Sequence, residues 1–427
     1  MRRRGMARVL LLVLAAWLLP GGGGVRAQNN TRPEFSMDAP TIEAPFEYVK
    51  HQILVNGEVD GRRVLTLLVD IGAAMPVFDR SVRLVGTRLP DRTIREADGH
   101  SSATTVTLDE LTIGQDGQCV HGRRLDGLVS DLSQVSSRVG RRIDGIVGLS
   151  YLAGFIVEID YTKRCLRFFP PKRFSIASCK PNNQSSFLLP VHTSDSTQDT
   201  SSLSISGKLA GSYDYEFILD TGFRGYVSIS RSDAELSGLL KRDTPRTLGE
   251  SFSVSHRFRI EKIRTDFLML GEIHLSNRIV QVDTRNGDGY GQHGIIGNRL
   301  LQNYRMTLDC ARRLIWLERT TTKEEPDETE KARLGLTVRI DSGSIYVERV
   351  AHGSPAERAG VSAGDEILKI DGLPVETIGL ATALSVLASP DGPTDLEVKR
   401  ESKDASSRSE RLTLKVVPLP TLDWPAG

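Results

Sequence analysis

At 427 residues, 39% of them hydrophobic and 26% charged, the chain has the composition of a soluble globular protein too long for one ordinary core, so two or three domains are expected. A formal net charge of +1 excludes an extended basic face for nucleic acid. No Cys-x-x-Cys pair and no His-Glu-x-x-His spacing occurs, so neither a metal site nor a cofactor is expected.

The first element in the chain is an export signal. Arg2, Arg3, Arg4 and Arg8 precede the apolar run Val9 to Leu19, which Pro20 and Gly21 to Gly24 end before Val25-Arg26-Ala27. Eleven apolar residues would cross only about half of a ~30 Å hydrocarbon layer, so residues 1–27 read as a cleaved signal peptide rather than an anchor. Cleavage after Ala27 removes five arginines and no acid, leaving 50 basic against 54 acidic residues and no stable membrane span. The mature protein is then periplasmic or secreted. In an oxidising compartment Cys165 and Cys179, close in one segment, could pair; the alternative is four small buried residues, Cys119 and Cys310 included.

Most of the remaining chain is one pattern written twice. Leu67-Leu68-Val69-Asp70-Ile71-Gly72-Ala73 is followed by Gly145-Ile146-Val147-Gly148-Leu149, and Phe217-Ile218-Leu219-Asp220-Thr221-Gly222-Phe223 by Gly294-Ile295-Ile296-Gly297-Asn298. Asp70 precedes Gly148 by 78 residues and Asp220 precedes Gly297 by 77, so the repeats keep register. Both close alike: Val157 to Asp160 then Arg164 to Leu166, and Met306 to Asp309 then Arg313 to Ile315, each predict a strand, a turn and a return strand. Short apolar runs broken by Gly and Asp predict mainly β structure, with short helices after each apolar-Gly element. Lys172 to Ser186 reads as the linker between copies, and residues 320–332, with five acids, as a solvated hinge.

Two carboxylates, each ending an apolar strand at a glycine-permitted turn, are what a water-activating acid–base pair needs. Like-charge repulsion makes such a pair share one proton, so one acts as base and the other as acid. On these motifs residues 46–319 resemble the pepsin and retropepsin families of aspartic peptidases. The resemblance implies a bilobal double β-barrel, with lobes at 46–171 and 187–319. It implies peptide or protein substrates, and Asp70 and Asp220 as catalytic residues supported by Ile71, Gly72, Ala73, Thr221, Gly222 and Phe223. Family members carry Thr or Ser after each Asp for hydrogen bonding across the lobes; Thr221 fits and Ile71 does not. Phe223 is bulkier than the family's usual residue, whereas Ala73 is a common one. Ile94 to Thr107 falls where the family keeps its substrate-covering hairpin, although a plain surface loop reads equally well.

From Arg333 the sequence changes character. Leu334-Gly335-Leu336-Thr337, Gly353-Ser354-Pro355-Ala356 and Gly364-Asp365-Glu366-Ile367-Leu368-Lys369-Ile370-Asp371-Gly372 resemble a PDZ domain, a small α+β module expected over 333–418. The resemblance implies capture of an extended or C-terminal peptide, its carboxylate held by the loop Leu334, Gly335 and Leu336, beside a helix beginning near Thr377. The serine-peptidase signature Gly-x-Ser-x-Gly is absent, since Gly148-Leu149-Ser150-Tyr151-Leu152 fails at its last position. Two functions stay open: an exported aspartic endopeptidase with a peptide-capturing module, or an inactive bilobal scaffold that binds peptides.

Overall fold

The computed structural model describes residues 32–420 apart from 86, 97–98, 197–198, 212, 243, 253–256, 266–267, 276–277, 285–292, 321–331, 352, 389, 391 and 401–409. The expected signal peptide and nearly all of the expected acidic hinge lie outside the described residues. The chain forms two compact units, one holding the residues up to 240 with 249–261 and 265–323, the other holding 324 onward with 241–248 and 262–264.

The first unit is mainly β, and the two sequence repeats are two lobes. In the first lobe Arg62–Val69 runs parallel to Gly145–Val147, with Leu68 opposite Ile146, and Gly145–Val147 lies antiparallel to Val77–Asp79. In the second, Tyr213–Leu219 runs parallel to His293–Ile296, with Ile218 opposite Ile295, and the latter lies antiparallel to Val227–Ser230. These inner strands are apolar on both faces because both faces are covered: Leu67, Val69 and Phe78 in one lobe, and Phe217, Leu219 and Val227 in the other, are each 0% exposed. The expected short helices follow, Leu149–Leu152 and Asn298–Leu301, each entered through its glycine in extended conformation.

The lobes are joined by one continuous sheet. Its strand order there is Ser186–Pro190, Leu314–Arg319, Tyr304–Asp309, Ile156–Asp160, Cys165–Phe169 and Ile42–Val49, three strands from each copy. The central seam is antiparallel, Ile156 facing Asp309 and Ile159 facing Met306. Ile42–Val49 shows how sequence selects a face: Ile42, Ala44 and Phe46 are buried while Glu43, Pro45 and Glu47 are exposed. The segment expected as a substrate-covering hairpin forms a hairpin of Thr87–Glu96 and Gly99–Gln115, with Ile94 opposite Ser101.

The Cys165–Cys179 pairing does not form; all four cysteines are free. Cys165 begins its strand in the interlobe sheet, whereas Cys179 lies in the irregular stretch between Cys165–Phe169 and Ser186–Pro190.

In the second unit the strand order is Leu336–Asp341, Ser344–Val350, Glu366–Ile370, Thr394–Arg400 and Glu410–Val416. Its core is Ile345, Val347, Ile367, Ala383, Leu396 and Val398. Arg400 makes two 2.7 Å bonds to Asp365, which is 1% exposed. The helix expected near Thr377 is two helices, Val375–Ile378 and Leu380–Ala388, because Gly379 between them takes φ 78°, ψ 150°.

Candidate active site

Each repeat delivers its aspartate in the same way. The Asp70 amide donates to the Val147 carbonyl at 3.0 Å and the Asp220 amide to Ile296 at 2.9 Å, anchoring each loop to the partner strand. Beyond the aspartate the loop turns so that two successive amides face back: Gly72 and Ala73 donate to Asp70 Oδ1 at 2.8 and 3.1 Å, and Gly222 and Phe223 to Asp220 Oδ1 at 2.7 and 2.8 Å. The loop exit is pinned to the following helix, Leu149 N–H to the Ala73 carbonyl and Asn298 N–H to the Phe223 carbonyl.

The two carboxyls meet. A Cβ on Gly72 would lie 2.5 Å from Asp220 Cγ, and one on Gly222 would lie 2.2 Å from Asp70 Oδ2. Each glycine is thus the floor beneath the opposite carboxyl, and any side chain there would wedge the pair apart. Both aspartates are 1% exposed. Burial raises the Asp70 pKa to about 6 despite opposing hydrogen bonds from Asp220, Gly72, Ala73 and Gly222. Asp220 is pushed up by burial first, then by the Asp70 charge and by its own hydrogen bond to Asp70. A hydrogen bond between two buried carboxyls needs one proton, so the pair holds a single proton between Asp70 and Asp220.

Across the lobes Thr221, 0% exposed, accepts from the Ile71 amide at 3.0 Å and donates to the Val69 carbonyl at 2.8 Å. Ile71, 1% exposed, has no hydroxyl with which to return those bonds. Ala73 is fully buried behind Asp70, and Phe223 leans over Gly225, its Cζ 2.4 Å from where a Cβ would stand there.

Two side chains to which the sequence reading assigned no role hold the Asp220 loop in place of the missing grip. Gln52, 3% exposed, donates from Nε2 to the Gly222 carbonyl at 2.6 Å. Asn298, 0% exposed, donates from Nδ2 to the Thr221 carbonyl at 2.5 Å and to the His51 carbonyl at 2.9 Å, and its Oδ1 accepts from the Tyr161 hydroxyl at 2.6 Å. Two carbonyls on one end fix which end is the NH2 group. His51 lies with Lys50 in the tight turn of the Ile42–Val49/Gln52–Val59 hairpin, at φ 61° and 47°, a left-handed pair that non-glycine residues adopt at a cost. The corresponding residue of the first lobe is Leu149. A polar residue matched to an apolar one within the repeat was the available signal; Gln52 left none.

In the second unit Leu334, 1% exposed, and Gly335, at φ 84°, offer their carbonyls inward to the Ala356 and Ala351 amides at 2.8 Å each. Leu336 opens Leu336–Asp341, the edge strand of its sheet, with Leu380 and Leu384 of Leu380–Ala388 packed against the same core.

Residues 323–399 match the family model described as PDZ domain. Curated relatives are PDZ domain-containing protein 7 of Homo sapiens, 39% identical over 66 residues, and of Mus musculus, 38% identical over 66 residues. The match covers 15% of this chain and spans 6% of the length of either relative. Among solved structures the chain is similar to an aspartic proteinase from Irpex lacteus, with TM-score 0.42 and 15% identity over 66% of this chain and 98% of that one. It is also similar to basic 7S globulin from soybean, with TM-score 0.39 and 9% identity over 66% of this chain and 94% of that one. Residues 323–399 are a PDZ domain, and the chain before them forms two β lobes that each close on an Asp-x-Gly loop and share one sheet.

Proposed function

We propose that the chain is an exported aspartic endopeptidase whose PDZ domain captures peptide. What supports this above all is two buried carboxyls from matching loops, facing each other across the lobes and sharing one hydrogen-bonded proton. A water between them loses a proton to ionised Asp70 as its oxygen adds to the scissile carbonyl carbon, while Asp220 protonates the carbonyl oxygen. Collapse of the resulting diol breaks the C–N bond, the proton on Asp70 passes to the leaving amine, and a diol hydroxyl returns its proton to Asp220. No covalent intermediate forms.

The first-lobe residues Gly72 and Ala73 and the second-lobe residues Gly222 and Phe223 hold the carboxyls through their amides, and Thr221 fixes the loops to each other. Leu336–Asp341, the edge strand among the described residues, suits addition of a peptide strand, whose carboxylate the Leu334–Leu336 loop would meet. Export rests on the N-terminal charged and apolar segment; no helix among the described residues is long and apolar enough to cross a membrane.

Incubation of the mature chain with a mixed peptide library should yield products that Asp70→Asn and Asp220→Asn each abolish, and that a hydroxyl-containing transition-state analogue suppresses. Turnover surviving either substitution removes that residue from the mechanism. Because Ile71 withholds half of the cross-lobe grip, the second reading is an inactive scaffold, for which peptides would bind the lobes without being cleaved.

A further inference from the structure

Each peptide group that holds Asp220 is itself held at its other end. The Gly222 N–H that donates to Asp220 Oδ1 belongs to the same peptide unit as the Thr221 carbonyl, which accepts from Asn298 Nδ2. The Phe223 N–H belongs to the same unit as the Gly222 carbonyl, which accepts from Gln52 Nε2. The Tyr161 hydroxyl, buried and bonded to Asn298 Oδ1, extends the first chain by one more link. In the first lobe, Gly72 and Ala73 hold Asp70 by the same two amides, but among the described residues no side-chain donor reaches the Ile71 or Gly72 carbonyl, and Leu149 stands where Asn298 does.

Chains of hydrogen bonds polarise one another: a donor to a peptide carbonyl draws electron density along the group and makes its N–H a stronger donor. A stronger donor to a carboxylate favours the ionised form. Gln52, Asn298, Tyr161 and Asp220 are all buried, which limits screening of the effect by water.

We propose that Asn298 and Gln52 are positioning residues that strengthen the Gly222 and Phe223 amides, lowering the cost of ionising the pair and favouring Asp220 most, since Phe223 serves Asp220 while Gly222 also faces Asp70, which brings the two single-proton states closer together. Asp220 carries the disadvantage of the Asp70 charge, and the two side-chain amides act against it from the far side of the loop. A pair with closer single-proton states exchanges base and acid roles more readily, as hydrolysis requires between addition and collapse. That consequence rests on the peptidase reading; the titration itself does not.

The test is therefore a titration of the full mature chain labelled with 13C at aspartate carboxyl carbons, followed by NMR and assigned through Asp70→Asn and Asp220→Asn. The sum of the pair's two apparent pKa values measures the cost of the doubly ionised state whichever carboxyl ionises first. Gln52→Met should raise that sum by a few tenths of a unit and Asn298→Leu by a similar amount, on the order of half a unit together. Tyr151→Phe, which deletes a buried hydroxyl bond to the Val120 carbonyl and takes no donor from either carboxyl or the peptide groups that hold it, controls for loosening and should leave the sum unchanged. If Asn298→Leu does not fold, Gln52→Met decides. An unchanged sum in folded Gln52→Met, or an equal rise in Tyr151→Phe, overturns the proposal. Loss of the peptidase reading would show separately, as absent turnover in a wild-type chain that still titrates as described.

Discussion

Replacing Asp220 by Asn keeps the geometry of the pair while removing one titration. The amide oxygen still accepts from Gly222 and Phe223, and the NH2 group still donates toward Asp70, so what changes is the proton count. In the wild-type fold burial and the Asp70 charge hold Asp220 protonated well above its ordinary value of 3.8. A carboxyl raised on folding contributes stability that is fully present below its unfolded pKa and is lost as pH rises toward the folded one. Over that window the folded chain binds one proton more than the unfolded chain at this site, so stability falls by ~1.4 kcal/mol per pH unit. Asp70 adds a like loss only up to about 6, where its own carboxyl ionises in the fold. Asp220→Asn should remove the Asp220 share alone. Urea unfolding followed through Trp316 fluorescence, in the strand Leu314–Arg319, should show a variant whose advantage over wild type grows as pH rises from 4, by up to ~1.4 kcal/mol per pH unit while Asp220 keeps its proton in the fold. A difference that stays flat across that range would show that Asp220 is ionised in the fold and that the pair does not share a proton.

Two further outcomes follow from the bonds. Thr221→Val keeps the shape but strips the Ile71 amide and the Val69 carbonyl of their shared partner, and should cost about 2–4 kcal/mol in unfolding free energy. Arg400→Met leaves the buried Asp365 carboxylate without its two 2.7 Å bonds and should lower the stability of the PDZ domain by about 3–5 kcal/mol, measured by calorimetry; a smaller loss would mean water reaches Asp365.

The parts legible in the sequence were those that local chemistry writes down. An apolar run covered on both faces, an aspartate and a glycine two places on are all near neighbours, and their repetition fixed the lobes, the short helices and the closing hairpins. Gln52 and Tyr161 were not legible, because their partners lie 170 and 137 residues away along the chain and only folding brings them within reach, and Asn298, 77 residues from its partner, showed only as a polar residue opposite apolar Leu149 in the repeat. The cysteine pairing failed for the converse reason: Cys165 and Cys179 are near in sequence, yet Cys165 is fixed in a strand and both thiols stay free. The break at Gly379 divided a helix that a resemblance alone would have drawn as one.

The seam between Ile156–Asp160 and Tyr304–Asp309 has a consequence for how the molecule has been able to change. Were each lobe to find its counterpart in a second identical chain, every substitution would enter both halves at once, and two-fold symmetry would force the loops to match. Closing the seam within one chain releases them from that constraint. Ile71 can face Thr221 and Leu149 can answer Asn298 because each position is inherited on its own, and a change tolerated beside one aspartate need not be tolerated beside the other.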